Sequence, residues 1–294
     1  MGDSKKLVCI YTCDKDKHSL SQFKKTKLYK QLKLDDSWCV LEVYAGAEET
    51  RFEDGVLQLN CPEEYSKLSL KTYEMIKECS SRFAFDYLVK IDCNIFEYGK
   101  VGFGFTEELR SDFFCEEFVS TLIFDDHLSS DYSGSAVSYV RTSDSLSKWA
   151  THKNIKILKT DPKYHVPFFT GKIYSMSSDF CNFISENGES EASYFADNLG
   201  GAEDVFIGYL FSEFNKLNFK SDILLDYVVN VMNLVKHENT KCYLRRLVDI
   251  CREDFKKFEF EQTHCVNDER FNEHKFKRVT SAHVGKVRFL QDVL

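Results

Sequence analysis

The candidate chemistry of this chain begins with three residues that follow a short apolar run. Asp92, Cys93 and Asn94 come directly after residues 87–91, which read YLVKI. A carboxylate at the end of a buried strand is costly unless it is hydrogen-bonded or used. Carboxylate and amide oxygens are the ligands that Mg²⁺ and Mn²⁺ prefer, although the amide of Asn94 brings no charge. The pattern indicates a site for a divalent cation, and the alternative is an aspartate that caps a turn.

Alternating strands and helices must position these residues. Short runs rich in β-branched and aromatic residues predict strands over residues 6–12, 39–44, 55–60 and 87–91. Apolar residues at helical spacing predict one helix over residues 19–34 and another that Pro62 opens. This order of elements favours an α/β fold with a mostly parallel central sheet flanked by helices.

The ends of the predicted strands define one candidate cleft. Ligands of largely parallel sheets bind beyond the carboxyl ends of the strands. Thr12 and Cys13 follow the first strand, Ala45 and Gly46 follow the second, and Asp92 ends the last. We therefore expect these residues to line a single ligand site at one edge of the sheet.

The second half of the chain continues the same domain. A strand is predicted over residues 136–140, and an apolar stretch begins at Phe168. Two glycines, at 200 and 201, precede a helix with Phe206 and Leu210 on one face. A further amphipathic helix is predicted over residues 243–258. Because no linker separates these elements, we expect one domain.

Composition excludes several classes of protein. The 294 residues carry 47 acidic against 39 basic side chains, a net charge of -8 that argues against a nucleic-acid partner. No run approaches the roughly 20 apolar residues that span a bilayer. The start of the chain has no apolar signal core, and its 11 cysteines cannot all pair within one chain. We expect a soluble protein with free thiols in a reducing compartment, the cytoplasm or, for a viral source, the host cytosol.

Several motifs resemble one known family in order and spacing. They are GVLQL at residues 55–59, EYSKLSLKT at 64–72, LVKID at 88–92, SKW at 147–149, YHVPFFTG at 164–171 and EDVFIG at 203–208. The beta-1,3-glycosyltransferases, a family with galactosyltransferase and fringe-like members, carry similar strings. Examples are Tyr-x-Asn-Leu-Thr-Leu-Lys-Thr, Lys-x-Asp-Asp-Asp-x-Phe and Glu-Asp-Val-x-x-Gly. Together the motifs span roughly residues 42 to 210 of this chain, here in a form without a membrane anchor.

The resemblance implies a GT-A fold and an inverting glycosyltransferase. Such an enzyme moves a sugar from a UDP-sugar to a hydroxyl of a glycan or glycoprotein acceptor. One domain would cover residues 1–294, with a nucleotide-binding half over 1–98, an acceptor half over 99–240 and a C-terminal helix and tail over 241–294.

The resemblance also assigns roles to individual residues. Asp204 would be the general base, because a carboxylate within reach of an acceptor hydroxyl can remove its proton; its alternative is an acid favoured by a helix dipole. The residues expected at the donor nucleotide are Thr12, Cys13, Ala45, Gly46, Lys71, Asp92 and Cys93. Those expected at the acceptor are Trp149, Phe169, Thr170, Gly171 and Glu203. Asp92, Asn94 and His237 would hold Mn²⁺ or Mg²⁺.

Two departures from the family pattern concern this site. The acid triplet of the family is reduced to Asp92, Cys93 and Asn94, which puts metal dependence in question. The glycine triplet becomes Gly171, Lys172 and Ile173, so a bulky side chain enters a place where backbone usually crowds the substrate. Two alternatives therefore stay open: a sugar- or nucleotide-binding relative without catalysis, and a metal-dependent nucleotidyl- or phosphotransferase that uses Asp92.

Overall fold

A seven-stranded mixed sheet forms the centre of the domain. The computed structural model describes residues 6–97, 111–124, 131–139, 164 and 166–218. The strands are β1 Lys6–Tyr11, β2 Trp38–Tyr44, β3 Arg51–Glu53, β4 Val56–Gln58, β5 Tyr87–Asp92, β6 Tyr132–Gly134, β7 Val137–Tyr139, β8 Pro167–Phe169 and β9 Ile173–Ser177. The central sheet has the order β3-β4-β2-β1-β5-β9-β6, and β7 and β8 pair as a separate two-stranded sheet.

Helices cover the sheet. They are α1 Lys17–Phe23, α2 Lys27–Leu34, α3 Leu68–Arg82, α4 Glu116–Phe124, α5 Ser178–Asn187, α6 Glu189–Asn198 and α7 Glu203–Asn218. Helix α3 packs against α5, α6 and α7, whereas α2 packs against β2 and α4. None of the described helices has the length and apolar content that a bilayer crossing requires.

The parallel part of the sheet confirms the predicted α/β class and its GT-A-like arrangement. β1 pairs in parallel with β2 on one side and with β5 on the other, and β4 pairs in parallel with β2. β1 is buried on both faces from Leu7 to Tyr11, as expected for a central parallel strand. The antiparallel strands β9 and β6 extend the sheet beyond β5.

The structure corrects several element boundaries. The helix predicted over residues 19–34 is two helices, because the Thr26 hydroxyl accepts a hydrogen bond from the amide of Tyr29 at 3.2 Å and caps a new helix there. The helix predicted to open at Pro62 begins at Leu68, and Tyr65 is 49% exposed rather than part of the apolar stripe.

The edge hairpin of the sheet was not predicted. β3 pairs antiparallel with β4 across a turn in which Asp54 and Gly55 adopt positive φ, a conformation typical of tight turns. The strand predicted over residues 136–140 is β7. The helix predicted over 243–258 and the domain boundaries predicted at 98/99 and 240/241 lie outside the described residues.

Candidate functional site

The carboxyl ends of three neighbouring parallel strands meet at one edge of the sheet. The amide of Thr12, after β1, donates to the Val43 carbonyl in β2 at 3.2 Å. The amide of Cys93, after β5, donates to the Tyr11 carbonyl at 3.0 Å. These bonds bring the predicted residues after β1, β2 and β5 together, and we call this region the strand-end edge.

A buried lysine ties the loops of this edge to each other. Lys71 lies on α3, and its ammonium donates to the Thr12 carbonyl at 2.7 Å and to Glu63 Oε1 at 2.8 Å. The other Glu63 oxygen accepts from the Ala45 amide at 2.6 Å. Gly46, with φ of +85°, donates its amide to the Cys61 carbonyl at 2.7 Å. Lys71 therefore fixes the backbone over which the donor nucleotide is predicted to lie.

The two cysteines at the strand-end edge, Cys13 and Cys93, are protonated thiols near neutral pH. Cys93 is buried, and that burial raises the pKa of its thiol to about 12. Burial also raises the pKa of Cys13, and its Sγ donates a hydrogen bond to Asp16 at 3.1 Å. Because the thiolate is the reactive form, neither side chain is set up for nucleophilic attack near neutral pH.

Asp92 lies between two lysines. Its Oδ1 is 2.6 Å from the ammonium of Lys90, two residues earlier on the same face of β5. Its Oδ2 is 3.0 Å from the ammonium of Lys172, which also donates to Asn94 Oδ1 at 2.5 Å. Burial opposes the charge on Asp92, but the two ammonium groups outweigh it and hold the pKa of this carboxyl below its ordinary value.

Lys90 is the buried centre of the site. Its side chain is 2% exposed, and besides Asp92 its ammonium contacts Glu203 Oε1 at 3.0 Å and the Gly171 carbonyl. The ring of Tyr11 lies 4.6 Å from the ammonium, close enough for a cation–π contact. Burial lowers the pKa of Lys90, yet the two carboxylates outweigh that effect and raise it, so the side chain stays charged.

Glu203 occupies the core side of α7. Its Oε2 accepts from the Thr72 hydroxyl at 2.8 Å and from the Tyr174 hydroxyl at 3.2 Å. Gly200 and Gly201, with φ of +61° and +69°, make the turn that leads into α7. This buried, fully bonded carboxylate is suited to positioning Lys90, and its predicted contact with an acceptor stays a prediction.

Asp204, the next residue, faces a different environment. Its Oδ2 accepts from the Gly171 amide at 3.3 Å and its Oδ1 from the Val205 amide at 2.9 Å. Burial, followed by the charge of Glu203, raises the pKa of Asp204 to about 7. A carboxyl that ionises near neutrality and remains partly exposed can accept a proton from a bound hydroxyl.

Gly171 joins the two acidic positions. Its amide contacts Asp204, its carbonyl contacts Lys90, and the following residue contacts Asp92. A Cβ at this position would collide with the carboxylate of Glu203. Only glycine therefore lets the chain pass between these groups without displacing them.

The other predicted acceptor residues are placed in different ways. Phe169 is fully buried and packs edge-on against Tyr132 at 5.0 Å between ring centroids, as a core residue does. The Thr170 amide donates to the Ala136 carbonyl at 2.8 Å. Trp149 and His237 lie outside the described residues.

The described part of the site does not fit a divalent cation. Among the described residues, no group of three or more histidine, cysteine or carboxylate side chains could hold a metal. Asp92 and Asn94 are the two predicted ligands within that part, and the Lys172 ammonium contacts an oxygen of each. A cation at these oxygens would first have to displace that ammonium.

The sequence predicts Asp92 and Asp204 as site residues but not the two lysines that contact Asp92. Lys90 had one local signal, its i,i+2 spacing from Asp92 on a predicted strand. For Lys172 the sequence indicates only a bulky residue in a glycine position. Its partner is 80 residues away, across the antiparallel pairing of β5 with β9, which no local pattern indicates.

One comparison with known proteins identifies a family for this chain. The family model described as galactosyltransferase matches residues 42–216, which is more than half of the chain. No curated protein matches the sequence. The matched segment begins within β2 and ends within α7, so it contains Asp92, Gly171 and Asp204.

Proposed function

Because the chain belongs to the galactosyltransferase family, and is thus a glycosyltransferase, we propose that it is an inverting transferase that uses a UDP-sugar. Asp204 is the general base of this proposal. The observation that supports it most directly is the pKa of about 7 at a partly exposed carboxyl beside Gly171.

In this proposal, the donor and the acceptor bind on opposite sides of residues 171 and 172. The donor nucleotide lies along the strand-end edge, over Thr12 and Ala45, with its diphosphate toward Asn94. The hydroxyl of a glycan or glycoprotein acceptor approaches Asp204. As the bond from the acceptor oxygen to the anomeric carbon forms, its proton passes to Asp204, and the bond from the anomeric carbon to the diphosphate breaks on the opposite side.

The proposed compartment is the cytoplasm. Its support is the cysteine content of the sequence, because 11 cysteines cannot all pair within one chain and a reducing compartment keeps thiols free.

The direct test is transfer from a panel of UDP-sugars to glycan acceptors by the wild-type protein and by Asp204→Asn. General-base catalysis is worth roughly 10²- to 10⁴-fold, so kcat/KM is expected to fall by that factor. The matched control is Asp179→Asn, since Asp179 is the second residue of α5, as Asp204 is of α7, but is exposed. Full activity of Asp204→Asn would show that another group removes the proton.

A non-catalytic sugar- or nucleotide-binding protein is the second candidate. The observation that favours it is that Asp92 and Asn94 are both engaged by Lys172. Calorimetry separates the two candidates, because a binder takes up UDP or a glycan while no donor in the panel is turned over.

A further inference from the structure

We propose that the ammonium of Lys172 takes the place of a divalent cation, contacting the β-phosphate of the donor so that neither binding nor transfer requires metal. The inference rests on the proposed function, in that the donor is a nucleotide diphosphate sugar. It assigns Lys172 a role in donor binding that the sequence patterns did not predict.

The position of the ammonium is the first argument. Lys172 precedes β9, and its backbone carbonyl accepts from the Asp92 amide at 2.9 Å, which fixes the residue beside the end of β5. Its ammonium then lies 3.0 Å from Asp92 Oδ2 and 2.5 Å from Asn94 Oδ1. These are the two oxygens that a metal would take as ligands in this part of the chain.

The charge balance is the second argument. Asp92 brings one negative charge and Asn94 brings none, and the ammonium groups of Lys90 and Lys172 both contact Asp92. Lys90 is shared with Glu203, whose carboxylate is buried. A divalent ion in direct contact with Asp92 and Asn94 would lie beside these two ammonium groups, and like charges at such short range repel each other.

The accessibility of Lys172 is the third argument. Lys90 is buried at 2% exposure, whereas the Lys172 side chain is 16% exposed and lies at the strand-end edge. Lysine binds phosphate as a point charge, on a flexible stem that can follow the ligand. Of the two ammonium groups on Asp92, the one on Lys172 is therefore better placed to meet a diphosphate.

In the proposed transfer, one bond at the anomeric carbon breaks while another forms. The bond between the anomeric carbon and the β-phosphate oxygen breaks, and its electron pair stays on the UDP leaving group. The acceptor oxygen forms the new bond to that carbon, and its proton passes to Asp204. The Lys172 ammonium stabilises the negative charge that develops on the β-phosphate, without itself gaining or losing a proton.

Calorimetry with UDP and with UMP tests this, since only UDP has the β-phosphate. For the wild-type protein we expect the same UDP affinity in excess EDTA and in Mn²⁺. Lys172→Met, which keeps most of the side-chain length, should weaken UDP binding about ten- to hundredfold, as loss of a charge-assisted hydrogen bond does. UMP binding should not change. Lys77→Met, a half-exposed lysine on α3, is the control.

Asn94→Asp provides a second variant that preserves Lys172. The added carboxylate should weaken UDP binding in EDTA and create a Mn²⁺ site, detected by titration of the metal alone with spin-resonance spectroscopy. Thermal unfolding of each variant shows whether it is folded before affinities are compared.

The outcomes separate this inference from the proposed function. UDP binding or transfer that appears only with Mn²⁺, or UDP affinity unchanged in folded Lys172→Met, overturns the role of Lys172 and leaves the glycosyltransferase proposal standing. Metal-free UDP binding that depends on Lys172 supports the inference even if no donor sugar is transferred, a result that would overturn the proposed function. No UDP binding under either condition overturns both.

Discussion

Asp92 and Asp204 lie on the two sides of residues 171 and 172, and their environments push their acidities in opposite directions. The ammonium groups of Lys90 and Lys172 hold the pKa of Asp92 below its ordinary value, despite burial. Within the part of the chain that the structure describes, Asp204 contacts two backbone amides and no lysine directly, and burial together with Glu203 raises its pKa to about 7. Two identical side chains are thereby suited to two tasks, and in the proposed reaction Asp92 stays ionised while Asp204 exchanges a proton.

A single buried lysine, Lys90, acts on both sides of residues 171 and 172. Lys90 contacts Asp92 directly and reaches Asp204 only through Glu203 and the Gly171 carbonyl. The direct contact with Lys90 stabilises the charge on Asp92. The link from Lys90 to Asp204 is indirect, so burial determines the direction in which the pKa of Asp204 shifts. Changes at this lysine, at Gly171 or in pH should therefore affect the two acids unequally.

Lys90→Met should produce the largest effect, because Lys90 contacts both Asp92 and Glu203 in the core. The variant leaves the buried Glu203 carboxylate without its cation, and removing one partner of a buried ion pair costs about 3–5 kcal/mol in unfolding free energy. Urea denaturation measures this loss. Lys67→Met, whose lysine pairs with the exposed Asp197, should cost no more than about 1 kcal/mol. Equal losses in the two variants would contradict the central role of Lys90.

Lowering the pH should protonate Asp204 and leave Asp92 charged. Since the proposed base must be ionised, kcat/KM should fall about tenfold per pH unit below a midpoint of about 7. The pKa of Asp204 exceeds its unfolded value of about 3.9, so its contribution to the free energy of unfolding decreases as pH rises from about 4 to 7.

Asp204→Asn tests both predicted effects of pH, the one on kcat/KM and the one on the free energy of unfolding. The residual kcat/KM of this variant should no longer fall as the pH is lowered below 7, which is the acid limb of the pH profile. Its melting temperature should exceed that of the wild type more at pH 8 than at pH 4. An acid limb that persists in this variant would assign the titration to another group.

Gly171→Ala should have a smaller effect, because it shifts only the segment between Asp92 and Asp204. The new methyl group collides with the Glu203 carboxylate, and steric overpacking of this kind costs about 1–3 kcal/mol. Thermal unfolding measures that cost, and kcat/KM should fall as the Gly171 amide leaves Asp204.

Thr170→Ser, a change beside Gly171 that adds no atom, is the control for the thermal unfolding of this variant. Wild-type stability of Gly171→Ala would show that Glu203 is free to move, against the packed arrangement described above.

The parallel half of the fold could be predicted from sequence, whereas the assembly of the site could not. The run over residues 87–91 and the acid after it predicted β5 and the position of Asp92, because strand ends and ligand sites coincide in parallel sheets. The break at Thr26 was missed because Thr26 caps a helix inside a continuous apolar stripe. Lys172 reaches Asp92 through strand pairing between distant segments, which local residue patterns do not encode.

The link between Lys90 and Glu203 has a consequence for how the chain is made. The two residues are 113 positions apart, so during synthesis the lysine is complete long before its carboxylate partner exists. Until α7 docks, β5 carries an ammonium into the core that only Asp92 can neutralise, and such long-range contacts form slowly. A ribosome-bound chain that ends before residue 203 should therefore be sensitive to protease around β5, and should become resistant once α7 has emerged.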